Sequence, residues 1–126
     1  MSQKDDLIHR LGTLLVADAE VAPEGWQHVA LVGVVDAEQA RLTGFSYDAN
    51  GEHEPAAPRN FETLEVLRRL RSAMAESDGK APWKSCLVRI ARDSGKIGVD
   101  FEYDDAARWA ISKNNASQRA LELKPR

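Results

Sequence analysis

Apolar and polar residues alternate along the stretch from Trp83 to Ile111 in a pattern that predicts two β-strands joined by a tight turn. One face of this pair carries Cys86, Val88 and Ile90 on the first strand and Ile97, Val99, Phe101 and Tyr103 on the second. Between the strands, Asp93-Ser94-Gly95-Lys96 suits a type I turn that a glycine with positive φ closes. We therefore expect a hairpin whose apolar face enters a core.

Four predicted elements come first along the chain. Leucines at helical spacing predict an amphipathic helix from Ser2 to Ala19, with Ser2 as its N-cap. The nearly continuous apolar run Trp26–Val35 predicts a central strand that is covered on both faces. The segment Gln39–Asp48 then returns antiparallel, and Glu52–Glu54 forms a short edge strand.

A second helix follows a proline-containing loop. Pro55 and Pro58 are expected to stop sheet pairing, because proline lacks the N–H that a strand donates. Asn60 can cap a helix that runs to about Ser77, with Gly79 near its C-terminal cap. The predicted buried stripe of this helix consists of Phe61, Leu64, Leu67, Leu70 and Met74.

This order of elements predicts an α+β fold, with a mostly antiparallel sheet of about four to five strands and helices packed against it. Residues 1–126 are expected to form a single domain, because this length buries a core without disulfides or metals. The polar C-terminal region, residues 113–126, either forms a last short helix or frays. A helix there would carry Ala116, Ala120 and Leu123.

Composition excludes several classes of function. A net charge of −3 gives no indication of nucleic-acid binding, which usually needs a basic excess. The single cysteine, Cys86, excludes an internal disulfide and a cysteine-based zinc site, and it is expected in the core. No apolar run approaches the roughly 18 residues of a membrane span, and the polar start is unlike a signal peptide. We therefore expect a cytoplasmic protein without a membrane partner.

No motif in the sequence indicates catalysis. There is no Gly-x-Ser-x-Gly elbow and no glycine-rich phosphate loop. His9, His28 and His53 fall on a predicted helix, strand and loop, and no pair has the spacing of a zinc motif. We predict no catalytic residue, no cofactor and no bound metal.

The most informative feature is a set of carboxylates on the second hairpin strand and directly after it. If the chain stays extended there, same-face carboxylates lie about 7 Å apart and form an acidic surface. This surface is a solvated strand face, a binding site for a basic partner or, least favoured, an oxygen-ligand metal site. The predicted partner-binding residues are Asp100, Glu102, Asp104 and Asp105, with Glu52 and Glu54 from the neighbouring loop.

Several motifs also occur in the order in which one protein family has them. They are Pro23-Glu24-Gly25-Trp26, Phe45-x-Tyr47 before Asn50-Gly51, Pro82-Trp83, and the hairpin from Asp93 to Asp105 with Trp109 after it. In this order the chain resembles the YezG-like immunity (antitoxin) proteins of bacteria over roughly residues 5–112. The resemblance implies a small α+β protein that binds and neutralises a secreted toxin, often a nuclease. It implies no catalytic residue.

Two other classes of function stay open. A small homodimeric structural or adaptor domain would have Trp or Leu residues exposed along an edge. A small metal-dependent enzyme, which is less favoured, would need His28 or His53 beside the carboxylates in a pocket. The immunity class agrees best with the acidic surface, because such a surface complements the basic substrate groove of a nuclease.

Overall fold

The structure is a computed structural model that describes residues 3–79 and 81–124. These residues contain three helices and five strands. In chain order they are α1 (Gln3–Ala17), β1 (Trp26–Val35), β2 (Ala40–Asp48), β3 (His53–Ala56), α2 (Phe61–Asp78), β4 (Ser85–Ala91), β5 (Ile97–Glu102) and α3 (Ala116–Leu123). This confirms the predicted α+β class. The predicted N-cap Ser2 lies outside the described residues. None of the described helices combines the length and the apolar character needed to cross a membrane.

The strands form one antiparallel sheet in the order β3-β2-β1-β4-β5. Strand β1 lies in the middle, where Ala30 pairs with Phe45 of β2 on one side and with Arg89 of β4 on the other. This central place confirms the prediction from its continuous apolar run. The order also puts β3 and β5 at opposite edges of the sheet.

Helices α1 and α2 cover one side of the sheet, called the first face below. The helical spacing of their leucines turns one stripe of each helix toward the sheet. The most buried large residues of this core include Leu11, Leu15, Leu31, Leu67, Leu70 and Trp83. Cys86, whose Sγ would lie 2.8 Å from a Cβ at Gly33, is also fully buried here, as predicted.

The C-terminal segment covers the other side of the sheet, called the second face below. Trp109, Ala120 and Leu123 pack there against a group of strand residues. That group is Ala30, Val32, Phe45, Tyr47 and Leu87. Tyr47 also donates a hydrogen bond of 2.7 Å from its hydroxyl to the Ala120 carbonyl. Of the two alternatives for the C-terminal region, the described residues therefore show the helix, and it completes a second core.

The ends of α2 agree with the prediction from sequence. The Asn60 side chain accepts a hydrogen bond of 2.9 Å from the Glu62 backbone N–H. Gly79 follows the helix in the left-handed conformation, with a φ of 64°, and its N–H donates to the Ala75 carbonyl. Such conformations favour glycine because it lacks a Cβ.

Two local predictions, one for Pro55 in β3 and one for Phe61 in α2, are wrong. Pro55 does not stop pairing but lies within β3, opposite Phe45. In an antiparallel pair, only every second residue of β3 hydrogen-bonds to β2. Pro55 lies between two such residues, so β2 does not need the N–H that proline lacks. Phe61 is 82% exposed rather than buried. It lies roughly 120° around α2 from Leu67, at about 100° per residue.

Candidate functional site

The predicted row of carboxylates is divided, because β5 ends at Glu102 and the chain then bends. The Glu102 carboxylate folds back over this bend, and its Oε2 accepts backbone N–H bonds from Asp104 at 2.9 Å and Asp105 at 3.0 Å. Its Oε1 accepts a bond of 3.0 Å from the Arg108 guanidinium. The expectation of one extended strand through Asp105 is therefore wrong, because Glu102 stabilises a turn.

These contacts also change the chemistry of Glu102. The two backbone N–H groups of Asp105 and Asp104, followed by the Arg108 side chain, lower its pKa to about 2. Its side chain is only 14% exposed, so little of the carboxylate is accessible to a partner. Glu102 is thus a structural anchor of the bend, and it contributes less to a partner surface than the sequence pattern predicts.

Asp100 lies on the second face of β5 and forms an ion pair with Arg89 on β4. The distance between Asp100 Oδ2 and Arg89 Nη1 is 3.1 Å. The Asp100 side chain is 65% exposed and that of Arg89 is 42% exposed, so solvent screens the pair. Asp100 therefore remains accessible, but a neighbouring positive charge offsets its own.

Beyond Glu102, the residues Tyr103, Asp104 and Asp105 form what we call the acidic bend. All three are exposed. The bend is held at several points, since Lys84 Nζ donates to the Asp104 carbonyl at 3.2 Å and Asp105 Oδ1 accepts the Ala107 N–H at 2.9 Å. The alternating pattern assigned Tyr103 to the apolar face, but the strand ends before it, and Tyr103 is 36% exposed.

Glu52 and Glu54 do not join this group. They belong to the β3 end of the sheet, and four strand spacings separate β3 from β5, which is roughly 19 Å. There they line a cleft of about 200 Å³ together with Glu24 and His53. The expectation that they belong to the same surface as Asp100 is wrong, because the hairpin after Asp48 pairs with the opposite edge of the sheet.

An enzyme or a metal site would use cysteine, histidine and acidic side chains. Among residues 3–79 and 81–124, no group of three or more His, Cys, Asp or Glu side chains could hold a metal ion. Burial raises the pKa of the Cys86 thiol to about 12, so it stays protonated at neutral pH. His53 lies beside acidic residues in the cleft, but its ring packs edge-on against Phe45 at 5.5 Å.

The fold and the site together define a small α+β domain with a preformed acidic surface at one end of an edge strand. No protein-family model matches the chain, and no curated protein shows significant sequence similarity to it. The motifs quoted above are therefore what supports a resemblance to the YezG-like immunity proteins.

Proposed function

We propose that this chain is a bacterial immunity-type protein that binds and neutralises a secreted protein toxin through the acidic bend, with Asp100 beside it. The observation that carries the proposal is the exposure of Tyr103, Asp104 and Asp105 on a bend that Glu102 holds in place. A surface that is fixed before the partner arrives loses little conformational entropy on binding. The proposed location is the cytoplasm of the bacterium that makes the toxin.

The chemistry of the bend favours a basic partner. Two adjacent exposed carboxylates attract a positively charged groove, speed its association and disfavour acidic partners. An exposed tyrosine between charged neighbours supplies the aromatic contact that binding hot spots often contain. A nuclease toxin fits this description, because its substrate groove must attract phosphates.

A genetic assay tests the proposal directly. Under the proposal, the gene beside that of this chain encodes a large protein with a C-terminal toxin domain, and co-expression of the chain with that domain restores growth. The double variant Asp104→Lys and Asp105→Lys is expected to weaken protection and to slow association at low salt by about tenfold or more. Replacing Tyr103 by alanine is expected to speed dissociation.

The chain offers a matched control. The double variant Glu52→Lys and Glu54→Lys makes the same change in net charge at the opposite edge of the sheet. It should keep protection close to the wild-type level. Equal protection by both double variants would remove the acidic bend from the mechanism, and loss of protection in the control alone would assign the contact to the β3 edge.

A further inference from the structure

The outer edge of β5 is an open sheet edge in the described part of the chain. β5 pairs with β4 on one side, and no described strand pairs with its other side. The opposite edge strand, β3, is only four residues long and contains Pro55, which lacks an N–H. Short length and proline are common protections of an edge, and β5, with six residues and no proline, has neither.

The hydrogen bonds to β4 show which backbone groups of β5 point outward. Beside the start of β5, the Ala91 N–H donates to the Lys96 carbonyl at 3.1 Å. In an antiparallel pair, every second residue faces the partner strand with both its N–H and its C=O. The even-numbered residues therefore bond to β4, and the N–H and C=O groups of Ile97, Val99 and Phe101 point to the open edge.

We propose that β5 pairs antiparallel with β5 of a second copy of this chain, about a two-fold axis at Val99. In this register, all three residues with outward backbone groups find partners, since Ile97 faces Phe101 of the second copy and Val99 faces its own counterpart. Their half-buried side chains meet on the first face. Two five-stranded sheets then become one continuous sheet with both pairs of covering helices on the same side.

The second face shows the charge complementarity of this register. Gly98 lies opposite Asp100 of the second copy, and a Cβ added at Gly98 would meet no atom within 4 Å. Arg89 lies next to Gly98 in the same row of the sheet. Because Gly98 has no side chain, the Arg89 guanidinium can extend across it toward Asp100 of the second copy. The two-fold axis repeats this contact, so it occurs twice in the dimer. At the ends of the paired segment, Lys96 lies opposite Glu102, whose carboxylate is already bonded within its own bend and to Arg108, so this pair adds little.

The other antiparallel registers that the outward backbone groups allow are less favourable, because they oppose like charges or leave outward groups without a strand partner. An axis at Asp100 would place the two Asp100 side chains opposite each other, and like charges in that position are destabilising. An axis at Gly98 would place Phe101 opposite Gly95, which lies in the turn with its N–H bonded to the Ala91 carbonyl. The register about Val99 alone pairs three outward residues without opposing like charges.

The paired edge of β5 shares only Asp100 with the proposed toxin contact. The paired segment ends at Glu102, so the acidic bend lies outside it, and a dimer carries two such bends. Failure of toxin neutralisation would leave the pairing of β5 untouched, and a monomeric chain would leave the acidic bend available.

Sedimentation velocity of the full chain over a range of concentrations tests the proposal, with two opposite substitutions at one open position. Gly98→Asp places a second carboxylate opposite Asp100 and is expected to raise the dimer dissociation constant by about tenfold, since the contact occurs twice. Gly98→Lys places an opposite charge there and is expected to lower it. Thr43→Asp and Thr43→Lys, at an exposed position of β2, make the same charge changes away from the edge and should leave the dissociation constant unchanged.

Amide hydrogen exchange identifies the surface used. In the dimer, the amides of Ile97, Val99 and Phe101 should be protected, whereas on dilution to monomer they should exchange quickly while Gly98 and Asp100 stay protected. A wild-type chain that remains monomeric up to about millimolar concentration overturns the proposal. A dimer that does not protect these three amides, or whose dissociation constant responds equally to both Gly98 variants, overturns it too.

Discussion

Replacing Tyr47 by phenylalanine removes one hydroxyl that joins the sheet to the last helix. Tyr47 lies on β2 with only 2% of its surface exposed, and its hydroxyl donates to the Ala120 carbonyl at 2.7 Å. Ala120 belongs to the C-terminal half of α3. The tyrosine thus ties this helix to the sheet through a buried hydrogen bond.

The size of the effect follows from this burial. Losing one buried hydrogen bond costs about 0.5–1.5 kcal/mol, and the phenylalanine ring keeps the apolar contacts. We expect a loss of this size in the free energy of unfolding. With an unfolding entropy of about 2.1 cal/mol/K per residue over 126 residues, this lowers Tm by about 2–6 °C.

Urea unfolding as a function of pH provides the assay. Burial raises the pKa of Tyr47 from 10.0 to about 12 in the folded protein, so folding favours the protonated phenol. Its contribution is complete below pH 10 and is lost as the pH rises toward 12. The Tyr47→Phe variant should therefore be less stable at pH 7 and should lose less stability above pH 10 than the wild type does.

The exposed tyrosine of the acidic bend is the control. Tyr103→Phe is expected to keep the stability of the wild type at pH 7, because Tyr103 is 36% exposed. If Tyr47→Phe differs from the wild type by no more than a few tenths of a kcal/mol, the bond to α3 contributes nothing and the reasoning fails.

Two further substitutions test other features of the fold. Gly44→Ala should destabilise the protein by about 3 kcal/mol or more in urea unfolding, because the new Cβ would lie 2.0 Å from the Ala30 carbonyl oxygen. A variant as stable as the wild type would contradict this close approach. Glu102 has a pKa lowered from 4.5 to about 2, so its stabilisation is complete above pH 4.5 and is lost as the pH falls toward 2. Glu102→Gln should be less stable at pH 7 and should show a smaller acid-side loss in a pH series of thermal unfolding, and an unchanged acid-side loss would contradict its role as the anchor of the bend.

Much of the fold follows from local patterns in the sequence. The continuous apolar character of Trp26–Val35 requires cover on both faces, and β1 has it. Asn60 and Gly79 mark the ends of α2 because capping depends on neighbouring residues alone. It was not predictable in this way which side of the sheet the C-terminal segment covers. The buried residues of α3, Ala120 and Leu123, are too few to mark a face in the sequence.

The candidate site shows where period-based prediction fails. The alternation from Ile97 to Tyr103 fits a longer strand, but the Glu102 carboxylate captures the following backbone N–H groups and ends it. A glutamate that bonds to residues two and three positions later leaves no pattern of apolar spacing. The separation of Glu52 and Glu54 from Asp100 depends on strand order, and strand order is a property of the whole sheet.

The position of the second-face cover along the chain has a consequence for folding. All five strands precede Trp109, Ala120 and Leu123, so an intermediate that assembles the sheet under α1 and α2 first leaves Phe45 and Val32 facing water. Such an intermediate is a natural substrate for chaperones and is prone to aggregate. A premature stop codon between Glu102 and Trp109 would make that intermediate permanent, even though every strand would be present.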